Sequence, residues 1–405
     1  MKISKAKYDY IMLLHAVGDT IGFYNGIFEF NFFQSDQNYK ITMEIIFEFI
    51  KLGGYSGINL EKWNVSDDTL FHIAMARSLL KVDFKSKLSD KNLLLIKKEF
   101  KSTLKMISET QDDKIFVLMN SNTIDLEKDP YKLFKYKFRG IGTTTHENIS
   151  NKNLYIDETK INIKKSGGNG CAMRTLCIGL VFHDDLDKLI EYSIKSSMIT
   201  HINPIGFLGG LTSAYFISLA LNNIDLYKWP SMLIELIESP KVKSYIDEKN
   251  FDMIVQYRHF ISLWKKYIEM RFNQKLKPLF LNSHKNLISR TKFHYDFMMN
   301  YDIQGLQEVE GKPNEMMNTI GGSGVTCMIM VYDSLLDAGN SFEKLIYYGM
   351  LHAGDSDTVG AIAAGIFGAI YGDDSDVIPH HMLLNIEFKK ELLELSEKLY
   401  KEYSK

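Results

Sequence analysis

The sequence predicts an all-α protein, one compact domain spanning 1–405. Apolar residues recur at helical spacing along most of the chain, strand-type alternation is scarce, and only 7 prolines interrupt 405 residues. The periodic stretches are 8–16, 41–52, 69–80, 93–107, 173–181, 186–197, 206–221 and the C-terminal EFKKELLELSEKLYKEY. KIFVLM near Ile115 and KINIKK near Ile161 are the two short strand candidates. Two stretches, 112–165 and 227–312, have weak or aromatic-and-basic patterns and are expected as peripheral insertions on the one domain rather than domains of their own. No fixed-period repeat is present, which excludes a helical solenoid.

Composition narrows the function classes. At 45% hydrophobic and 24% charged the chain can bury a sizeable core. A net charge of -2 gives no whole-protein basis for binding nucleic acid or an anionic membrane. The apolar stretch 10–17 runs into Gly18 and Asp19 without a small-residue cleavage site, so it reads as an internal helix rather than a signal peptide. No membrane span is expected. The three cysteines, Cys171, Cys177 and Cys327, form no C-x-x-C pair, which favours a reducing, cytoplasmic setting. Without a heptad seam, a monomer is expected.

Four segments could carry chemistry. NVSDDTLFHIAMA, 64–76, places Asp67 and Asp68 at the start of an apolar helix. Ser66 suits an N-cap and acids suit the positive end of a helix dipole, so simple capping explains this stretch taken alone. The alternative is that other acids arrive at the same place. LHAGDSDTVGAIAAGIFGAIYG, 351–372, offers Asp355 and Asp357. Two residues apart, they would point about 200° from each other on one helix. They converge only if they lie in the preceding loop, with Thr358 as the helix cap. The helix after them carries Gly360, Ala363, Ala364, Gly368 and Gly372, small residues that admit another backbone and mark a central buried element.

Should Asp67, Asp68, Asp355 and Asp357 meet, four carboxylates would repel each other strongly, and two divalent cations would neutralise them. Aspartate oxygens with the Ser66 or Thr358 hydroxyls suit Mg²⁺, with Mn²⁺ as a substitute. The third segment, KKSGGNGCAMRTLCIGL, 164–180, runs glycines into a helical pattern and reads either as a phosphate-binding junction or as a plain turn. It is neither a Walker A loop nor a dinucleotide fingerprint. In the fourth, SMITHINPIGFLGGLTSAYFISLAL, 197–221, His201 precedes another small-residue helix, a structural histidine or a binding one. FRGIGTTT, 138–145, is either surface or a pocket wall offering Arg139 and the Gly142 backbone.

GDTIGFYNG from Gly18, SDDT from Ser66, GGNGCAMR from Gly167 with THINPIGFLGG from Thr200, and GDSDT from Gly354 occur in the order found in the ADP-ribosyl-acceptor glycohydrolases, which include the dinitrogenase reductase-activating glycohydrolases. The chain resembles that family over nearly its whole length. FYNG, GYSGINLEKWNVSDDT and MIMVYDSLLDAG are most similar to the ADP-ribosylarginine hydrolase branch. The resemblance implies an orthogonal helical bundle with a central cleft holding two Mg²⁺ ions. Matched motif to motif, it makes Ser66, Asp67, Asp68, Asp355, Asp357 and Thr358 metal ligands. It places Gly168, Asn169, Gly170 and His201, with Arg139 and Gly142 less tightly matched, along an ADP-ribose cleft.

The implied activity is hydrolysis of the α-N-glycosidic bond between ADP-ribose and a protein arginine, with Asp68 or Asp357 accepting the water proton. ADP-ribosylated proteins are the implied partners and ADP-ribose the product. Two departures keep the acceptor open. Val325 and Thr326 stand where arginine-specific relatives carry a Gly-His-Asp run, and the Asn169 form of the glycine loop also resembles the serine and poly(ADP-ribose) branch. That branch's lid glutamate has no fixed counterpart, Glu29 and Glu44 being the nearby acids. A silent ADP-ribose binder is the rival of another class, and intact acids argue against it.

Overall fold

The computed structural model describes residues 2–29, 38–83, 89–110, 138–150, 163–279, 286–302 and 319–404. Its longer helices are α1 (Lys5–Phe23), α2 (Asn38–Lys51), α3 (Asp67–Leu79), α4 (Asp90–Thr110), α5 (Thr143–Ser150), α6 (Leu176–Val181), α7 (Leu186–Met198), α8 (Pro204–Leu221), α9 (Trp229–Ile237), α10 (Phe251–Arg271), α11 (Leu287–Phe297), α12 (Gly324–Ala338), α13 (Phe342–Gly349), α14 (Ser356–Tyr371) and α15 (Lys389–Tyr403). Among the described residues, β structure is limited to two isolated bridges, Gly168 with Ser323 and Phe272 with Pro278. The KIFVLM segment lies outside the described residues. So does most of KINIKK, whose described end, Ile163–Lys165, is a 3₁₀ turn.

Two helices form the axis of the bundle. Ser4 caps α1 by accepting the Lys7 amide, and α1 ends at Tyr24 in the left-handed region. Along most of its length α1 lies against α14, so closely that a Cβ at Gly18 would sit 2.1 Å from the Gly360 carbonyl oxygen. That contact is the use of the small residues in α14: glycine lets two backbones touch where any side chain would hold them apart. Ile362, Ile366 and Phe367 of the same helix are wholly buried, each contributing about 1.5–3 kcal/mol through lost water contact.

The other small-residue helix, α8, starts with Asn203 accepting the Ile205 amide and Pro204 in the first turn. By length and apolarity it alone among the described helices could cross a bilayer, yet all of it is buried inside the protein, as a core helix is.

The described part of the stretch 227–312 sends large side chains into the core. Trp229, Trp264 and Tyr267 pack around Phe216 and Tyr332, with Phe216 to Trp229 ring centroids 5.1 Å apart. Two of its basic residues, Arg271 and Arg290, also go inward. Arg271 donates through Nε to Asp333 (2.8 Å) and through Nη2 to Asp337 (2.9 Å). Arg290 donates to the same two acids at 2.6 and 2.5 Å, and the Tyr267 hydroxyl adds a bond of 2.6 Å to Asp333. Composition alone could not show these inward ion pairs, because a sequence does not display the acids that α12 brings to meet the two arginines. Of the stretch 112–165, α5 is described and packs against α4.

Candidate active site

The first turn of α3 settles what Asp67 and Asp68 do. A helix leaves its first amides without partners, and a capping carboxylate supplies one. Here others supply them. Asp19, from the middle of α1, accepts the Ser66 amide (3.0 and 3.1 Å) and the amide and hydroxyl of Thr69 (3.1 and 2.5 Å). The Arg139 carbonyl accepts the Asp67 amide at 2.6 Å, and Ser66 Oγ accepts the Asp68 amide at 3.1 Å. The carboxylates of Asp67 and Asp68 are therefore released from capping, and both are buried.

The second acidic pair enters from the start of α14. Gly354, at φ +112°, turns the chain against Ile320, whose carbonyl accepts the Asp355 amide at 2.9 Å. The expectation that both acids lie before the helix is half right. Asp355 occupies the cap position, while Asp357 is inside the first turn. The helix starts at Ser356, so Thr358 is not the cap; its amide donates to Asp357 Oδ1 at 2.8 Å. Convergence succeeds because a cap residue lies outside helical periodicity. Ser356 anchors the turn to α1 by donating to the Gly22 carbonyl (2.8 Å).

Glu29 completes the tightest group: one oxygen each from Glu29, Asp355 and Asp357 lie within 4.8 Å of one another. Glu44 does not join them; it is exposed beside Lys40. Asp67 and Asp68 border the trio closely enough to feel its charge. Burial first, and then Asp19 and Asp355, hold both well above the carboxylate range. Burial and its acidic neighbours likewise raise Glu29 and Asp357, and burial raises Asp19 to about 6 against the hydrogen bonds it accepts. Asp68 Oδ2, Asp355 Oδ1 and Glu29 Oε2 are buried with no hydrogen-bond partner among the described residues. Unpartnered, oxygen-only donors in a crowd of like charges fit hard divalent cations. Glu29 was the residue sequence could not fix, since no motif or period ties it to acids more than three hundred positions away.

The glycine loop forms the adjoining wall. Gly168 pairs with Ser323, and the Asn169 amide donates to the Gly322 carbonyl (3.1 Å). The Asn169 side chain donates to Asp355 Oδ2 at 2.8 Å and to the Gly321 carbonyl at 2.9 Å, so it orients a candidate ligand acid. The expected junction of glycines with a helix is not formed. A 3₁₀ turn, Ala172–Arg174, intervenes and α6 begins only at Leu176, so no helix end faces out of the loop. Positive charge comes instead from Arg174, wholly buried, with Nη1 donating to the Gly170 carbonyl at 2.6 Å. Sequence reading passed over Arg174 although it stands inside the GGNGCAMR motif.

His201 lies against this loop: a Cβ on Gly170 would come within 3.1 Å of its ring. Burial, then the Arg174 charge, lower its pKa to about 3. Arg139 is not positioned as a free ligand group. It donates to Glu387 through both terminal nitrogens (2.7 and 2.8 Å) and to the Val65 carbonyl (2.6 Å), and Glu387 also accepts the Val65 amide (3.1 Å). Arg139 and Glu387 thus clamp the loop leading into Asp67. Gly142 has open space where a Cβ would stand and accepts the His146 amide at the start of α5.

Fold and site together define an all-α protein with a buried acid cluster beside a glycine-and-histidine wall. A family model described as ADP-ribosylglycohydrolase matches residues 5–405. The chain belongs to the ADP-ribosylglycohydrolase family of hydrolases. It is similar to ADP-ribosylhydrolase ARH1 of Dictyostelium discoideum, 28% identical over 411 residues covering 96% of this chain and 92% of that protein. A protein of Acanthamoeba polyphaga mimivirus named as an ADP-ribosyl glycohydrolase is 29% identical over 89% of this chain, which spans 63% of that longer relative. ADP-ribosylhydrolase ARH3 of Xenopus tropicalis is 24% identical over 75% of this chain and 79% of its own. A solved ADP-ribosylglycohydrolase-related protein complex shares the fold, with a TM-score of 0.51 at 15% identity over 98% of both chains.

Proposed function

We propose that the chain removes ADP-ribose from modified arginine on proteins by hydrolysing the α-N-glycosidic bond, with two Mg²⁺ ions held among Ser66, Asp67, Asp68, Asp355, Asp357 and Thr358. The observation that carries this reading is the meeting of acids from two distant segments with their oxygens left unpartnered. Glu29 joins the candidate ligand set. When bound, the cations supply the positive charge that lets these acids stay ionised together and that makes water a better nucleophile. Asp357 or Asp68 takes the proton of the attacking water as the bond to guanidinium breaks. Asn169 holds Asp355 in orientation, and the Gly168–Gly170 wall with His201 receives the rest of the ADP-ribose. Mn²⁺ substitutes for Mg²⁺, and the setting is cytoplasmic.

A second reading, hydrolysis of serine-linked or polymeric ADP-ribose, is favoured by one observation: of the two glutamates near the motifs, Glu29 stands at the acid cluster, a candidate for the lid glutamate that the resemblance to that branch calls for. Arginine-linked and serine-linked ADP-ribosylated proteins offered with Mg²⁺ and then with a chelator separate the two. Metal-dependent release from arginine supports the first reading, release from serine the second. Tight binding without release from either marks a binder and overturns both.

A further inference from the structure

The hydroxyl of Thr200 is placed between two groups that compete for its lone pairs and its single proton. Arg174 Nη2 donates to Thr200 Oγ1 at 2.7 Å, and guanidinium is a donor only. Thr200 Oγ1 is also 2.7 Å from His201 Nδ1 and 3.4 Å from the Ser197 carbonyl. The Ser197 carbonyl already accepts the Thr200 and His201 amides at 3.0 and 2.9 Å, which leaves the nearer ring nitrogen as the acceptor for the hydroxyl proton. A donor feeding a hydroxyl that itself donates is a chain whose bonds reinforce each other. Nδ1 then accepts, and a neutral imidazole that accepts at Nδ1 carries its proton at Nε2. Nε2 lies along the glycine wall, 3.6 Å from where a Cβ on Gly168 would stand, and has no hydrogen-bond partner among the described residues. Burial beside a guanidinium keeps the ring neutral.

We propose that Arg174 and Thr200 act as positioning residues that fix His201 as the neutral Nε2–H tautomer, a dedicated donor to an oxygen acceptor of ADP-ribose, phosphate or ribose, rather than a general acid or base. The identity of that ligand rests on the proposed function; the tautomer does not. The chain therefore runs from a buried cation through one hydroxyl to the cleft, and Arg174 also fixes the wall itself through the Gly170 carbonyl.

The test is a long-range proton–nitrogen spectrum of the full chain labelled with ¹⁵N-histidine, with His201→Gln used to assign the signal among 11 histidines. The expected result is a protonated Nε2 and a bare Nδ1 at His201 in the unliganded protein. Thr200→Ser should preserve this pattern, and Thr200→Val should turn it into a mixture of tautomers. Calorimetric affinity for ADP-ribose should fall about tenfold in Thr200→Val and recover in Thr200→Ser, the value of about one hydrogen bond. A proton on Nδ1 of the unaltered protein overturns the proposal whether or not any variant folds. A Thr200→Val protein with unchanged tautomer and affinity does the same. Failure of the unaltered protein to bind ADP-ribose, with the tautomer as expected, refutes the proposed function and leaves the relay standing.

Discussion

Among the described residues, the cluster of buried charge around Asp333 and the one around Asp355 differ in how their charge is balanced. Around Asp333 and Asp337, two arginines meet two aspartates, with Tyr267 donating as well. Around Asp355 and Asp357, several acids crowd together, and Arg174 is the cation that the neighbouring Asp67 feels. The same side chain responds in opposite ways. Arg290 and Arg271 overcome burial to hold Asp333 well below the carboxylate range, whereas Asp67, Asp68 and Asp357 are driven well above it. Burial alone thus says little about what an acid is for. The partners a protein supplies mark one cluster as architecture, and the partners it withholds mark the other as a place for something from outside.

The comparison breaks first at the balanced cluster. Asp333→Asn leaves two buried guanidinium groups short of charge, and unfolding in urea should show a loss of about 3–5 kcal/mol. A loss below about 1 kcal/mol would mean the network is ornamental.

At the other cluster the sign should reverse. In chelator, Asp357→Asn removes a repelled charge, so its melting temperature should equal or exceed that of the unaltered protein. Mg²⁺ at about a hundred times its Kd should stabilise the unaltered protein by about 2.7 kcal/mol and Asp357→Asn far less. Acidity sharpens this. A carboxyl whose folded pKa is raised, such as Asp19 at about 6, stabilises the fold below its unfolded value and loses that stabilisation as pH rises through 6. The melting gap between metal-bound and metal-free protein should therefore narrow between pH 7 and pH 5. Contributions from buried histidines such as His15, lowered to about 4, weaken both forms equally below about pH 6.5 and cancel in the gap. A gap that widens on acidification contradicts the charge imbalance.

The smallest effect concerns support. Glu387→Gln loosens the clamp on Arg139 and the Val65 amide, and the Mg²⁺ concentration for half-maximal thermal stabilisation should rise about tenfold. An unchanged requirement would show that the loop before Asp67 holds itself.

Much of this was legible in the chain. The seam glycines of α14, the acids at 67, 68, 355 and 357, and the glycine and histidine segments all lie in motifs whose local chemistry is visible in a few residues. What escaped was whatever depends on a partner far away in sequence. Taken alone, Asp67 and Asp68 read as part of simple helix capping, because Asp19, which takes the amides, lies far away in sequence. Arg139 read as a ligand group because Glu387, 248 positions on, was not in view. The inward-facing Arg271 and Arg290 went unnoticed for the same reason.

The contact between Gly18 and Gly360 has one more consequence. Gly18 directly precedes Asp19, which organises one half of the acid cluster, and Gly360 follows Asp357 by three residues in the other half. The gauge of the whole acid-lined hollow is thus set by atoms that are missing: a single added methyl group at that crossing would act as a wedge, prising apart two sets of carboxylates without touching either.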